Sequence, residues 1–466
     1  MMKIPTKCSG ILGFCLCALT FGVFAFGQTV VDPCPSTPGA CRLALPTTGA
    51  YLGILSEFGL TAREGPMPPA GLGIDRVFAS HLTSAQWTDI EGWWDPTTGD
   101  LTPSGEKAIG SDLSVNPWRF PVINWACDQT ASTNGTDYLI ASGDTGELDV
   151  IRKTARLLKR YPHPVMLRWY WEFNDYGKNG NCLGPVATGQ MTLANAQTYF
   201  IRAWRRIWTI FQNEGATNVM FSWSPDIYTK ELGEHDPHGF YPGNPYVDWI
   251  GVDIFPRTWP TTFAYRFELF YSDFSQIQYG GKPLMVGANG ALNDSTDNTE
   301  YQYGYLASLL EAAPSYPLLK AYAYFDSHGT TAEGVTWDWE LDGNDLSSCS
   351  TQESGLCEMA TLGASPQFNA IPEWCSVSLE QTASPPVVKV AVMTTPNCPW
   401  SVGPLPNWIA TTGDAGAGGV GPGSVTFVNL TNSPHPAQIA TIEIGGVSIP
   451  LHFPAVKLPI LRGQPE

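Results

Sequence analysis

The sequence predicts an α/β chain: a (β/α)8 TIM barrel followed by a small C-terminal β-sandwich of immunoglobulin-like type. Three observations lead there. Between about 46 and 370, short apolar runs alternate with amphipathic helical stretches, the pattern of parallel βα units. No glycine-rich phosphate fingerprint follows an early strand, which argues against a doubly wound open sheet. After Ile371-Pro372-Glu373 charges thin out, and Pro, Gly, Thr and Val dominate in short alternating runs.

In chain order, residues 1–27 read as a secretory signal peptide. Lys3 and Lys7 start it, Ile11 to Phe26 is almost continuously apolar, and Ala25-Phe26-Gly27 offers small residues for cleavage. The apolar run is short for a membrane span, so the mature chain is expected to be secreted, extracellular or periplasmic, and free of the membrane. Residues 28–45 form a Pro- and Cys-rich leader. Within the barrel segment, 46–370, a helix beginning at Leu148 carries apolar positions at helical spacing through Ala155, Leu157 and Leu158, then meets a strand from Pro164 to Tyr170. A second helix, Ala194 to Asn213, places Tyr199, Phe200, Trp204, Ile207, Trp208 and Phe211 on one stripe and leads into a strand from Asn218 to Trp223. Further strands are expected at Val247 to Ile254, Pro283 to Val286 and Ala321 to Phe325. The C-terminal unit, 374–455, shows strand patterns at Val387 to Val392, Ser424 to Asn429 and Ala440 to Ile444. The last is followed by Gly445-Gly446 and Val447 to Leu451, a hairpin signal. The glycine-rich stretch Gly413 to Gly423 is expected to be a loop.

Composition narrows the partners. The 466 residues carry 25 Lys+Arg against 43 Asp+Glu, a net charge of −18, which repels nucleic acid. The 17 Trp, 18 Tyr and 21 Phe suit a neutral ligand with apolar faces, such as a polysaccharide. Most acids precede residue 371, so the negative field belongs to the barrel. Eight cysteines remain after the signal, an even number that suggests disulfides in an exported chain. Neighbour pairing gives Cys34–Cys41, Cys349–Cys357 and Cys375–Cys398, leaving Cys127 for Cys182. No C-x-x-C pair occurs and the seven His are scattered, so neither a metal nor a cofactor is implied. The protein is expected to be a monomer.

A carboxylate at the C-terminal end of a barrel strand can serve as acid, base or nucleophile, because all eight strands deliver those ends to one rim. His163-Pro-Val-Met-Leu-Arg168-Trp-Tyr-Trp-Glu172-Phe-Asn174 puts Glu172 there. Arg168 faces the same side and can hold an acidic neighbour, and Asn174 can donate to a substrate hydroxyl. A structural Arg168–Glu172 ion pair is the alternative on spacing alone.

This segment resembles the strand-4 motif of glycoside hydrolase family 26, the β-mannanases and their relatives, in which such a Glu is the general acid/base. Asn218-Val-Met-Phe-Ser-Trp223-Ser-Pro225-Asp226 resembles the family's strand-5 segment. Tyr241-Pro-Gly-Asn-Pro-Tyr-Val-Asp-Trp249-Ile-Gly-Val-Asp253 is similar to its strand-6 signature, and Tyr324-Phe325-Asp326 with Trp337-Asp338-Trp339 resembles its strand-8 end. The resemblance, over about 120–370, implies a barrel that acts on β-linked polysaccharide, β-mannan first and β-xylan or β-glucan behind. It assigns Arg168, Trp171, Asn174, Trp223, Asp253, Phe255, Asp326 and Trp339 to substrate binding.

Retaining hydrolysis needs a second carboxylate about 5 Å from the first. In the family that nucleophile is a Glu ending strand 7. Here Lys282-Pro283-Leu-Met-Val-Gly287-Ala288-Asn289-Gly290 puts Ala288 at its position. Two neighbours differ as well: Trp171 replaces the His before the acid/base, and Phe255 replaces a Tyr whose hydroxyl bonds the nucleophile. Three readings follow: an enzyme that borrows Asp226, Asp253, Asp326 or Asp294; a barrel that binds glycan without cutting it; and a scaffold or adhesion protein. Trp169, Trp259 and Trp337 are further stacking candidates, and His235 and His238 lie in a loop that could line the cleft. The C-terminal segment resembles the BACON domain, through Cys375, Val390, Cys398-Pro-Trp400, Trp408-Ile409 and Ile442-x-Ile-Gly445-Gly446; this implies glycan attachment or a spacer.

Overall fold

The computed structural model describes residues 41–56, 79–109, 119–128, 135–175, 191–228, 236–256, 261–292, 299–330, 336–341, 349, 353–384, 387–412, 418–431 and 436–455. The signal segment, Cys34, Cys182, His235, Trp259, Asp294 and the side chain of Trp337 lie outside the described residues.

Eight parallel strands close into a barrel: β1 (Tyr51–Ser56), β2 (Ser80–Ala85), β3 (Phe120–Trp125), β4 (Val165–Trp169), β5 (Val219–Trp223), β6 (Trp249–Ile254), β7 (Leu284–Asn289) and β8 (Leu319–Asp326). Closure comes from β8 pairing with β1 in register, Tyr51 opposite Ala321 through Ser56 opposite Asp326. Strands β3 to β7 are buried on both faces, so they read as apolar runs and not as alternating ones. Strands β1 and β2 carry Gly53, Ser56, Ser80, His81, Thr83 and Ser84 among their apolar residues and do not stand out by pattern from the loops around them.

The helices that pack outside follow local signals. Helix α1 (Thr145–Leu158) begins at Asp144, whose carboxylate accepts from the Gly146 and Glu147 amides at 2.9 and 3.1 Å. Helix α2 (Leu193–Glu214) is capped by Thr192 and ends at Gly215, in the left-handed conformation that stops helices. Its buried stripe, Phe200, Trp204, Ile207, Trp208 and Phe211, joins the layer between strands and helices. A separate cluster fills the barrel: Val122, Met166, Met220, Met285, Ala288, Ala321 and Ala323.

Strand β7 runs to Asn289, past the expected end at Val286. Its register with β6 shifts, Val252 facing Val286 but Asp253 facing Ala288, so Gly287 is the extra residue of a bulge. A Cβ on Gly287 would lie 2.5 Å from Arg168 Cζ; the glycine makes room for the guanidinium.

The C-terminal unit holds a four-stranded antiparallel sheet, ordered Ser378–Ser384, Val387–Met393, Gly423–Asn429, Ile409–Thr412. The hairpin Gln438–Ile444 with Val447–Phe453 turns at Gly445-Gly446, both at positive φ. Gly418–Val420 is a strand paired with Pro399–Ser401 and corrects the loop expected over Gly413 to Gly423. Glycine serves there because the Trp400 indole packs on the strand: a Cβ on Gly419 would sit 2.8 Å from Trp400 Cζ2. Disulfides Cys349–Cys357 and Cys375–Cys398 form as expected, and Cys41 and Cys127 are also disulfide-bonded.

The sandwich meets the barrel at the N-terminal ends of the strands. Arg42–Leu43 pairs with Trp374–Cys375 between the two units, Arg42 bridges to Asp248 just before β6, and Gly446 lies against Thr217 just before β5. The opposite rim, where the strands end, is left to loops.

Candidate active site

At the end of β4 the chain turns through two non-glycine residues in left-handed conformation, Tyr170 at φ 48° and Glu172 at φ 57°. Such residues are uncommon and cost on the order of 1–3 kcal/mol each, and they persist where the surroundings over-determine them. Here the amide of Tyr170 donates to Trp125 O and that of Glu172 to Ser224 O, both at 2.9 Å. The strand-4 turn is thereby pinned between the ends of β3 and β5, and Glu172 is held half-buried at the rim.

Beneath it lies a buried polar network. Arg168 is fully buried; its Nη1 donates to Asn124 Oδ1 at 2.6 Å, its Nε to Ser224 Oγ at 3.1 Å, and its Nη2 to Asp253 Oδ1. Arg168 therefore pairs with Asp253 and not with Glu172. Asp253 is buried, and burial pushes its carboxyl up while the guanidinium opposes that push. Glu172 has no such cation in contact. Burial raises its carboxyl well above the usual range, the negative charges of Asp226 and then Asp253 raise it further, and Arg168 only partly offsets them. The neutral form of Glu172 is accordingly favoured relative to a solvent-exposed carboxyl.

Ala288 is buried on the barrel interior, opposite Asp253 across β6 and β7. Phe255 packs on the same interior cluster and meets Trp339 at 4.8 Å and Phe325 at 5.6 Å between ring centroids. Gly290 lets this wall close: a Cβ there would fall 2.7 Å from Trp339 Cγ. The indole Nε1–H of Trp339 is buried with no acceptor among the described residues. Ala288 thus lies beside Asp253 on the barrel interior, with a phenyl ring and no tyrosyl hydroxyl at 255 and no carboxylate at 288.

Several expected ligand contacts are used up by the fold. Arg168 and Asp253 are buried beneath the rim and bonded to each other. Asn174 donates to Asp226 O at 3.0 Å and accepts from the Asp226 amide at 2.7 Å, so it fixes the end of β5 instead of offering its amide to a sugar. Trp223 is fully buried among Phe173, Tyr241 and Phe274, and Trp169 stacks on Phe200; both are core. Asp326 is buried and accepts from the Leu341 amide at 2.9 Å, holding the segment that carries Trp339. His238 stacks on Phe274 at 5.0 Å. Trp171 and Phe255 stay partly accessible. Asn124, Ser224 and Gly287 went unread in the sequence, although a glycine inside a strand is itself a signal of close approach by another group.

A second acidic feature lies along the same rim. Gln86 to Thr88 after β2, Cys127 and Asp128 after β3, and Glu147 in the first turn of α1 line a cleft. Burial, with Asp128 and Asp144 adding, raises Glu147 to about 7.

Fold and site together define a (β/α)8 barrel with a carboxyl group at its C-terminal mouth, Glu172, that burial and neighbouring acids raise above the usual range, beside an aromatic wall. No protein-family model matches the chain. It is 30% identical over 212 residues to Endoglucanase H of Acetivibrio thermocellus, a match covering 40% of this chain and 23% of that protein. The chain thus spans about a quarter of the length of the curated relative it matches. Among solved structures it is similar to a GH26 beta-mannanase from Bacteroides ovatus (13% identity, 70% of this chain and 91% of that one, TM-score 0.44). It is also similar to the catalytic domain of a GH26 endo-beta-1,4-mannanase from Bacillus sp. JAMB-750 (13% identity, 69% and 87%, TM-score 0.45).

Proposed function

We propose that the chain is a secreted glycoside hydrolase of family 26 type that acts on β-linked polysaccharide, with Glu172 as the general acid. The observation that carries this reading is Glu172 itself: a carboxyl group raised well above the usual range, on a strained left-handed turn, at the mouth of the barrel. In its neutral form such a group can pass its proton to a glycosidic oxygen as the bond to the anomeric carbon breaks. The raised carboxyl has the physical cause that general acids share: burial plus an uncompensated like charge.

A covalent route has no nucleophile at Ala288. The reading therefore takes the single-displacement course: Glu172 protonates the leaving oxygen, water attacks the anomeric carbon from the opposite face, and a second carboxylate takes the proton of that water. Asp253 is committed to Arg168 and Asp326 to the Leu341 amide. Asp226 also accepts a backbone amide, that of Ile227 at 2.8 Å, but unlike Asp253 and Asp326 it is only half-buried at the end of β5, and it is the base in this proposal. Phe255 and Trp339 would face a sugar ring, with the unpartnered Trp339 Nε1–H as a donor to a hydroxyl. β-Mannan is the first substrate to try, and the partial likeness to an endoglucanase puts β-glucan beside it, with β-xylan third. The sandwich, BACON-like by resemblance, is proposed as a spacer or glycan anchor.

Ala288 specifically favours a second reading, a barrel that binds glycan without cutting it. One pair of assays separates the two. Reducing-sugar release from β-mannan or β-glucan, lost in Glu172→Gln, supports the hydrolase and excludes the binding-only reading. Retention in polysaccharide affinity gels with no release from any of the three glycans overturns it. Proton NMR of the first-formed sugar then reports inversion; retention of configuration would remove Asp226 from its role.

A further inference from the structure

The seam between barrel and sandwich contains a cavity of about 70 Å3, lined on the barrel side by Arg42, Asp248 and Lys282 and on the sandwich side by Trp400, Ser401 and Gly419. A single water needs about 10–15 Å3 of such space, so the cavity can take a small polyatomic group.

Its polar lining is unbalanced. Lys282 is 8% exposed and makes no hydrogen bond or ion pair among the described residues. Arg42 spends one Nη on Asp248, but its Nε–H is buried with no acceptor. The one carboxylate in the lining is already used: Asp248 takes Arg42 on Oδ1 and the Phe221 amide, at 2.9 Å, on Oδ2. Glu443, on the sandwich hairpin beside the seam, is raised to about 7 by burial and so adds less than a full negative charge. A buried ammonium and a buried guanidinium N–H without acceptors are each costly in isolation. Burial lowers Lys282 to about 8, which still leaves it cationic at neutral pH.

We infer that this seam is a binding site for a small oxyanion, a carboxylate or phosphate group held between Lys282 Nζ and Arg42 Nε and closed over by the Trp400 edge of the sandwich. An oxyanion supplies acceptors to both orphan donors at once, and its charge balances the one cation that Asp248 leaves uncompensated. Because barrel and sandwich both line the site, binding ties the two units together. The site lies at the strand N-termini, away from Glu172, and is independent of the hydrolase reading.

The test uses the full-length mature chain. Lysine acetylation is followed residue by residue by mass spectrometry in sodium phosphate, sodium acetate or sodium chloride at equal ionic strength, alongside melting temperature. Phosphate or acetate should slow Lys282 acetylation about threefold or more relative to the other lysines once its concentration passes about twice its Kd, and should raise the melting temperature saturably. Chloride should do neither, and the larger of the two oxyanion effects identifies the preferred group. Lys282→Met, checked for a native circular dichroism spectrum, should lose the oxyanion-dependent rise. Equal effects from all three salts, no protection of Lys282, or a rise that survives in Lys282→Met would overturn the proposal. Should that variant fail to fold, the acetylation of the native chain decides alone.

Discussion

Replacing Arg168 by Met tests the network under Glu172 most directly. The substitution keeps the length of the side chain but removes three hydrogen bonds, to Asn124, Ser224 and Asp253, the last an ion pair with both partners buried. Removing one partner of a buried pair costs about 3–5 kcal/mol, chiefly because the other charge is stranded. At about 2 °C per kcal/mol for a chain of this size, the melting temperature should fall by roughly 6–10 °C. The damage depends on pH. Without the guanidinium, Asp253 is raised further above its unfolded value, so the variant keeps most stability at low pH, where Asp253 is protonated, and loses it as pH rises toward the new folded value. Adding Asp253→Asn removes the stranded charge, so the double variant should recover at least about half of the loss, because replacing both partners of a buried pair by neutral groups is far milder than removing one. Equilibrium unfolding of the wild type, both single variants and the double variant closes the cycle. A loss below about 1 kcal/mol for Arg168→Met, or a double variant no more stable than the worse single one, would refute the view that the pair organises the mouth of the barrel.

Gly287→Ala should cost about 1–3 kcal/mol by overpacking, because the added methyl meets Arg168 Cζ, Nη2 and Nε at 2.5–2.7 Å and the guanidinium is fixed on three sides; thermal melts matching wild type would show that the bulge has room to spare. Glu147→Gln should flatten the pH dependence of stability. Glu147 is raised to about 7 in the folded chain, so its contribution is fully present below about 4.5 and is lost as pH climbs through 7. The variant should therefore melt higher relative to wild type at pH 8 than at pH 4.5, and a constant difference across that range would remove Glu147 as the titrating group. Trp339→Ala should weaken polysaccharide retention about tenfold or more, on the scale of a lost stacking contact plus one hydrogen bond; unchanged mobility in affinity gels would place the ligand elsewhere on the rim.

The sequence made the later half of the barrel legible because β4 to β8 are mainly apolar runs bounded by capped helices, as with Thr192 before α2 and Gly215 after it. What it could not separate was a residue's type from its orientation. Arg168, Asn174, Trp223, Asp253 and Asp326 all have the chemistry of a glycan site, yet each is turned to a neighbour inside the protein: Asn174 to the Asp226 backbone, Asp326 to the Leu341 amide, Trp223 to the helix layer. A motif records which side chains stand near the strand ends, and only the register of the barrel decides which of them point at the cleft and which brace the ones that do. Glu172 differs because its left-handed backbone is pinned through its own amide to Ser224 O, and its carboxyl is not in contact with the guanidinium that would otherwise favour the ionised form. The same register ties position 288 to the charged cluster. Gly287 bulges to admit Arg168, Arg168 holds Asp253, and Asp253 with Asp226 raises the Glu172 carboxyl, so Glu172 is braced by the strand that carries Ala288. That coupling predicts that Ala288→Glu alone, which sets another carboxylate beside Asp253 and against Phe255, destabilises the chain, whereas Ala288→Glu with Phe255→Tyr, which adds a hydroxyl donor, recovers stability in thermal melts. A single variant as stable as wild type would mean that position 288 does not face the charged cluster at all.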